Sequence, residues 1–166
     1  MLGIYENFPQ TIHMNAYFSA IASNKKLQNA LIKTLYKMNN ETHNFNNETK
    51  KTVPQYLAIF EFGIAETDSF NYLDIEEANR VLDQIRKNPF QIMDLLCAIR
   101  YYKIEGERKK PLKFDYYLLR IAFDKGLVEI QIFHERGPRH IPPEEIINLI
   151  IKRVNDFFPR KILRPI

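Results

Sequence analysis

The chain has 166 residues, 45% of them hydrophobic and 27% charged, which is enough length and apolar content for one domain with a full core. Its one cysteine, Cys97, excludes an internal disulfide or a cysteine zinc knuckle, and no apolar run approaches the roughly 20 residues of a membrane span. The net charge of +4 is uneven: residues 1–99 hold 9 Lys/Arg against 11 Asp/Glu, whereas residues 100–166 hold 15 against 9, an electrostatic reason to expect an acidic partner.

Met1 to Glu6 lacks the basic region and apolar stretch of a signal peptide, so a cytoplasmic protein without membrane association is expected. A first strand is predicted from about Gln10 to Ala20, where Ile12, Met14, Ala16 and Phe18 alternate with Thr11, His13, Asn15 and Tyr17. Ser23-Asn24 caps a helix running to about Met38, with Leu27, Leu31 and Leu35 on one face. Residues 39–52 are polar and Asn-rich and read as a mobile loop. Gln55 to Ala65 reads as a central strand because both of its faces are apolar.

Asp74 with Glu77 makes a capping-box-like start to a helix ending near Lys87. Asn88-Pro89 then reads as the start of another, with Ile92, Leu95, Leu96 and Ile99 as its apolar stripe. Leu112 to Arg136 is a hairpin around Lys125-Gly126. A two-residue turn sets Phe123 opposite Val128, Ile121 opposite Ile130, Leu119 opposite Ile132, Tyr117 opposite His134, and Asp115 opposite Arg136. A three-residue loop would put Arg120 on that apolar side and is rejected for it. Pro142-Pro143 opens the last helix, to about Phe158. Its stripe is broad enough either for a simply well-buried helix or for one shared with a partner subunit through Ile147, Ile151 and Phe158. The expectation is a single α+β domain over 1–166, with a four-stranded, largely antiparallel sheet in the order β-α-β-α-α-β-β-α.

No reaction motif is found: no Gly-rich phosphate loop, no nucleophile elbow, no Cys/His dyad. His134 and His140 lack the spacing of a helical zinc pair, so neither a metal nor a cofactor is expected. Cations and aromatics are instead interleaved around the hairpin. Tyr17, Tyr101, Tyr102, Tyr116 and Phe133 are candidates for stacking on bases, and Arg100, Lys103, Arg108, Lys109, Lys110, Arg120, Arg136 and Arg139 for contacting phosphates. Aromatics on strands are also the ordinary material of a core.

The opening strand and helix, Phe8-Pro9-Gln10-Thr11-Ile12-His13 through Leu27-Gln28-Asn29-Ala30-Leu31, and the closing hairpin and helix, Tyr116 through Glu144-Glu145-Ile146, give a layout that resembles the archaeal ThermoDBP-related single-stranded DNA-binding proteins. The resemblance is one of topology and composition. It implies a four-stranded antiparallel sheet, a basic and aromatic cleft, and self-association through a C-terminal helical element. With no Trp in the chain, stacking falls to Tyr and Phe. The expected function is non-enzymatic binding of single-stranded DNA or RNA by a homodimer. The alternative is an assembly subunit that associates through its C-terminal helix. A nuclease using Asp115, Glu129 or Glu135 ranks last, since Asp115 and Glu135 fall on opposite faces.

Overall fold

Strands with one apolar face, and central strands that are largely apolar on both, build this fold. The computed structural model describes residues 1–44 and 55–166. In chain order the elements are β1 (Met14–Ala20), α1 (Asn24–Met38), β2 (Thr42–Asn44), β3 (Gln55–Glu66), β4 (Ser69–Tyr72), α2 (Ile75–Lys87), β5 (Ile92–Glu105), β6 (Arg108–Pro111), β7 (Asp115–Asp124), β8 (Leu127–Arg136), α3 (Pro143–Asn155) and β9 (Leu163–Pro165). Among the described residues the strands form one antiparallel sheet of nine, in the order β2-β3-β5-β7-β8-β1-β9, with β4 added to β3 and β6 to β5.

Helices and an antiparallel sheet are both present, but the expected four-stranded sheet and its element order are overturned. The largest correction is β5. Ile92, Leu95, Leu96 and Ile99 fit a helical stripe, yet the segment is a 14-residue strand between β3 and β7. Met93, Leu95, Cys97, Ile99 and Tyr101 face the helices and are buried, and Asp94, Leu96, Ala98, Arg100 and Tyr102 take the other face. Asn88 closes α2 instead of opening a new helix. The strands β2, β4, β6 and β9 have three or four residues each, too short to show a period. Strand β2 lies within the segment expected to be a loop, and residues 45–52 of that segment lie outside the described residues.

The helix starts follow their local chemistry. Ser23 Oγ accepts from the Lys26 amide at 3.2 Å, and Asp74 Oδ1 from that of Glu77 at 2.9 Å. Pro142 and Pro143 open α3, where a missing N–H costs nothing. The described helices, α1, α2 and α3, all pack on one face of the sheet. Leu31 and Leu35 of α1, Val81 and Ile85 of α2, and Ile146 and Ile150 of α3 join Phe60 and Phe62, Leu119 and Ile121, and Ile130 and Ile132 in one core. Each such side chain contributes about 1.5–3 kcal/mol by leaving water.

The β7–β8 hairpin keeps the expected register from Asp124↔Leu127 to Tyr117↔His134, with Gly126 at φ 70° in the turn. It then breaks. A β-bulge sets Tyr116, not Asp115, opposite Arg136, so the expected Asp115–Arg136 pair does not form. Glu135 is the extra residue. The shift turns Arg136 to the face that carries no helices and leaves Asp115 on the helix side, fully buried.

Candidate functional site

The face of the sheet away from the helices is divided into two halves by the N-terminal segment. Gly3 slots between β3 and β5, its N–H donating to Ala65 O at 2.7 Å and its carbonyl accepting from the Asp94 N–H at 2.7 Å. Its φ of 89° suits glycine, and a Cβ there would meet the Phe90 ring at 2.8 Å. The chain then crosses the sheet. Tyr5 N–H donates to Asp94 Oδ2 at 2.8 Å, the Phe8 ring lies 4.4 Å from the Arg120 guanidinium, and His13 stacks on Phe133 at 4.8 Å and 11°.

Two expected nucleic-acid contacts are engaged under this cover. Arg120 grips Asp94 with two hydrogen bonds of 2.8 Å each, and that carboxylate is completely buried. The carboxylate's hydrogen bonds hold the guanidinium pKa above its ordinary value. Phe133 lies against His13, whose Nδ1 accepts from the His134 amide at 2.8 Å. Tyr17 stands apart on β1, 45% exposed, with its hydroxyl pKa raised by neighbouring Glu129.

The other half, outside this crossing, gathers six aromatic and basic side chains. The Arg136 guanidinium sits 4.4 Å over the Tyr116 ring, and Phe114 stacks beside Tyr116 at 5.9 Å. Lys109 Nζ lies 4.5 Å over the Tyr102 ring. Between the two tyrosines, Arg100 reaches the Tyr102 hydroxyl at 3.3 Å and pairs with Glu61 at 2.6 Å. Tyr116 is opposite Ala98 on β5, so Tyr102 lies four residues further along that strand. At about 3.3 Å per residue the two rings are set roughly 13 Å apart along the sheet. Sequence reasoning left Phe114 out of this set, although its place two residues before Tyr116 is the signal for a shared face.

The remaining candidates scatter. Lys103 turns to the opposite face and pairs with Glu105 at 3.1 Å, which raises its pKa. Arg108 and Lys110 are exposed on β6, and Arg139 is exposed in the loop after β8. Tyr101 is in the core, where burial raises its hydroxyl pKa. Ile147 and Ile151, expected to form a subunit interface with Phe158, lie in the chain's own core. Phe158 packs against that core, and it is Phe157 that is exposed.

Sequence reasoning also missed what aims the loop after β8. Asp115 accepts hydrogen bonds from the Tyr101 hydroxyl, from the Arg139 amide at 2.6 Å and from the His140 amide at 3.1 Å, and it lies 2.9 Å from His134 Nε2. The chain passes so close that a Cβ on Gly137, at φ 116°, would fall 2.2 Å from the Phe114 carbonyl oxygen. An acidic residue at an inward-facing strand position, followed by a Gly in the facing loop, is the trace this leaves in the sequence. Among the described residues no group of three or more His, Cys, Asp and Glu side chains is arranged to hold a metal ion. No helix among them is long and apolar enough to cross a membrane.

No protein-family model matches the chain, and neither a curated protein nor a solved structure shows significant similarity to it.

Proposed function

We propose that the protein binds single-stranded nucleic acid, without catalysis, on the half of the sheet that carries Tyr116, Arg136, Phe114, Arg100, Tyr102 and Lys109. The observation that carries this reading is the pair of cation-covered tyrosines on one face; Arg100, whose charge Glu61 already matches, holds the Tyr102 hydroxyl between them. Stacked rings take bases whatever their sequence, and the cations beside them follow the phosphates. The cations over the rings do not block this. An exposed cation–π contact contributes about 0.5–1 kcal/mol, whereas a stacked base contributes about 1–3 kcal/mol. A base therefore displaces the cation, which keeps its charge for a neighbouring phosphate.

The test is fluorescence anisotropy with labelled single-stranded DNA, single-stranded RNA and duplex DNA at two salt concentrations. Binding should favour single strands and weaken as salt rises. Tyr116→Ala and Tyr102→Ala should each weaken it by roughly 5- to 150-fold, the equivalent of one stacked base. Absence of binding at low salt, or binding untouched by both substitutions, would refute the reading.

A further inference from the structure

The helix side of the molecule carries a second feature that the sheet face does not use. A groove of about 740 Å³ runs between α1 and α2 and reaches the chain just after α3. Its floor is apolar, formed by Ala30, Leu82 and Ile85, with Phe157 and Phe158 at one end. Phe157 is 45% exposed, a large apolar surface left to water. The rim is basic: Lys25, Lys26 and Lys33 of α1 and Arg86 of α2 face a single carboxylate, Asp83. Asp83 is already held by Arg86 at 2.6 Å, and the three lysines make no ion pair among the described residues.

We infer that this groove docks an amphipathic, acidic helix of a partner protein, its apolar residues on the floor and its carboxylates against the lysines. Lys26, Asn29 and Lys33 of α1 and Asn79, Leu82 and Arg86 of α2 line its two walls, each set on one face of its helix. A third helix laid between two others buries its apolar stripe in that arrangement. Charge complementarity selects an acidic one. Nucleic acid fits less well, since the floor is largely aliphatic and offers few ring faces to stack on. A bilayer is too flat to reach Ile85, which is buried at the bottom.

The test uses the whole chain and a fluorescein-labelled synthetic helix with Leu at the i, i+3, i+4 and i+7 positions and Glu on the opposite face. Its control carries Lys for each Glu. The expected result is salt-sensitive binding of the acidic peptide alone, at least tenfold weaker in a Lys26→Glu/Lys33→Glu variant whose circular dichroism matches wild type. Amide chemical-shift changes should centre on Asn29, Leu82 and Phe157. Peptide binding that is absent, or indifferent to the charge reversal, would overturn the inference. So would a variant that loses oligonucleotide binding, or that loses binding to phosphatidylserine vesicles while wild type retains it, because the groove would then serve nucleic acid or a membrane. Oligonucleotide binding on the sheet face is expected to be the same in variant and wild type, so failure of one proposal is separable from failure of the other.

Discussion

Replacing Asp115 by Ala tests the account of the loop that follows β8. The side chain is fully buried and is the shared acceptor for a tyrosine hydroxyl and two backbone amides, with His134 Nε2 also in contact. Its removal takes this acceptor from all of them at once. Each unsatisfied buried donor costs about 1–3 kcal/mol, so the hydroxyl and the two partly buried amides at the low end give about 3 kcal/mol. In a chain of this size each kcal/mol lowers the midpoint of thermal unfolding by roughly 2–4 °C. Urea unfolding followed by circular dichroism should show a lower midpoint at unchanged slope, because the surface exposed on unfolding is the same. Gly137→Ala should destabilise through the same loop, since its Cβ would collide with the Phe114 carbonyl and with Asp115. The two losses should be less than additive when combined. A loss below about 1 kcal/mol for Asp115→Ala would refute the reasoning, because it would mean water satisfies these groups as well as the carboxylate does.

Arg120→Ala should lower stability by about 3 kcal/mol, since it strands the buried Asp94 carboxylate, and denaturant titration measures it. Equal stability would show that Asp94 is not held as described. Burial pushes the Cys97 thiol pKa far up, so a disulfide reagent at mildly alkaline pH should leave the native protein unmodified and label it fully in denaturant. Fast labelling of the native chain would contradict this. Arg80 and Asn71 hold the Glu66 carboxyl down to about 2. A depressed carboxylate stabilises the fold above its unfolded pKa of about 4.3, and that contribution fades as pH falls toward the folded value. Carbon-detected titration of Glu66 should give that low midpoint, and Glu66→Gln should flatten the acid limb of stability in this window. An ordinary midpoint would refute it.

What the sequence shows of this fold is the part set by local chemistry. Ser23 and Asp74 mark their helices because a cap acts within three residues. The β7–β8 register follows from Lys125-Gly126 and the alternation beside it, since a two-residue turn admits one pairing. Strand β5 is not legible in the same way. Ile92, Leu95, Leu96 and Ile99 satisfy a helical period as well as burial on both faces of a strand, and what decides between them is pairing with β3 and β7, which leaves no pattern within the segment itself. The candidate site divides along the same line. That Tyr116 and Arg120 share a face can be read from the hairpin. That Phe8 lies on Arg120 cannot, because the contact spans more than a hundred residues and leaves no local pattern.

The bulge at Glu135 explains why two arginines of one hairpin have different fates. Had the register continued, Arg136 would face the helix side opposite Asp115, and both charges would need burial together, which is expensive even for a pair. The extra residue moves the guanidinium onto Tyr116, at the half of the sheet that the N-terminal segment does not cross, and leaves Asp115 to be satisfied by uncharged donors and His134. Arg120 has the opposite arrangement. Its carboxylate partner is buried, its ring partner comes from the N-terminal segment, and its charge is neutralised within the protein. An arginine whose charge is already matched has little to offer a phosphate, whereas one resting on an aromatic ring keeps its charge available. The proposed binding surface therefore centres on Arg136 and Tyr116, and the basic count of the hairpin overstates how many of its cations can take part.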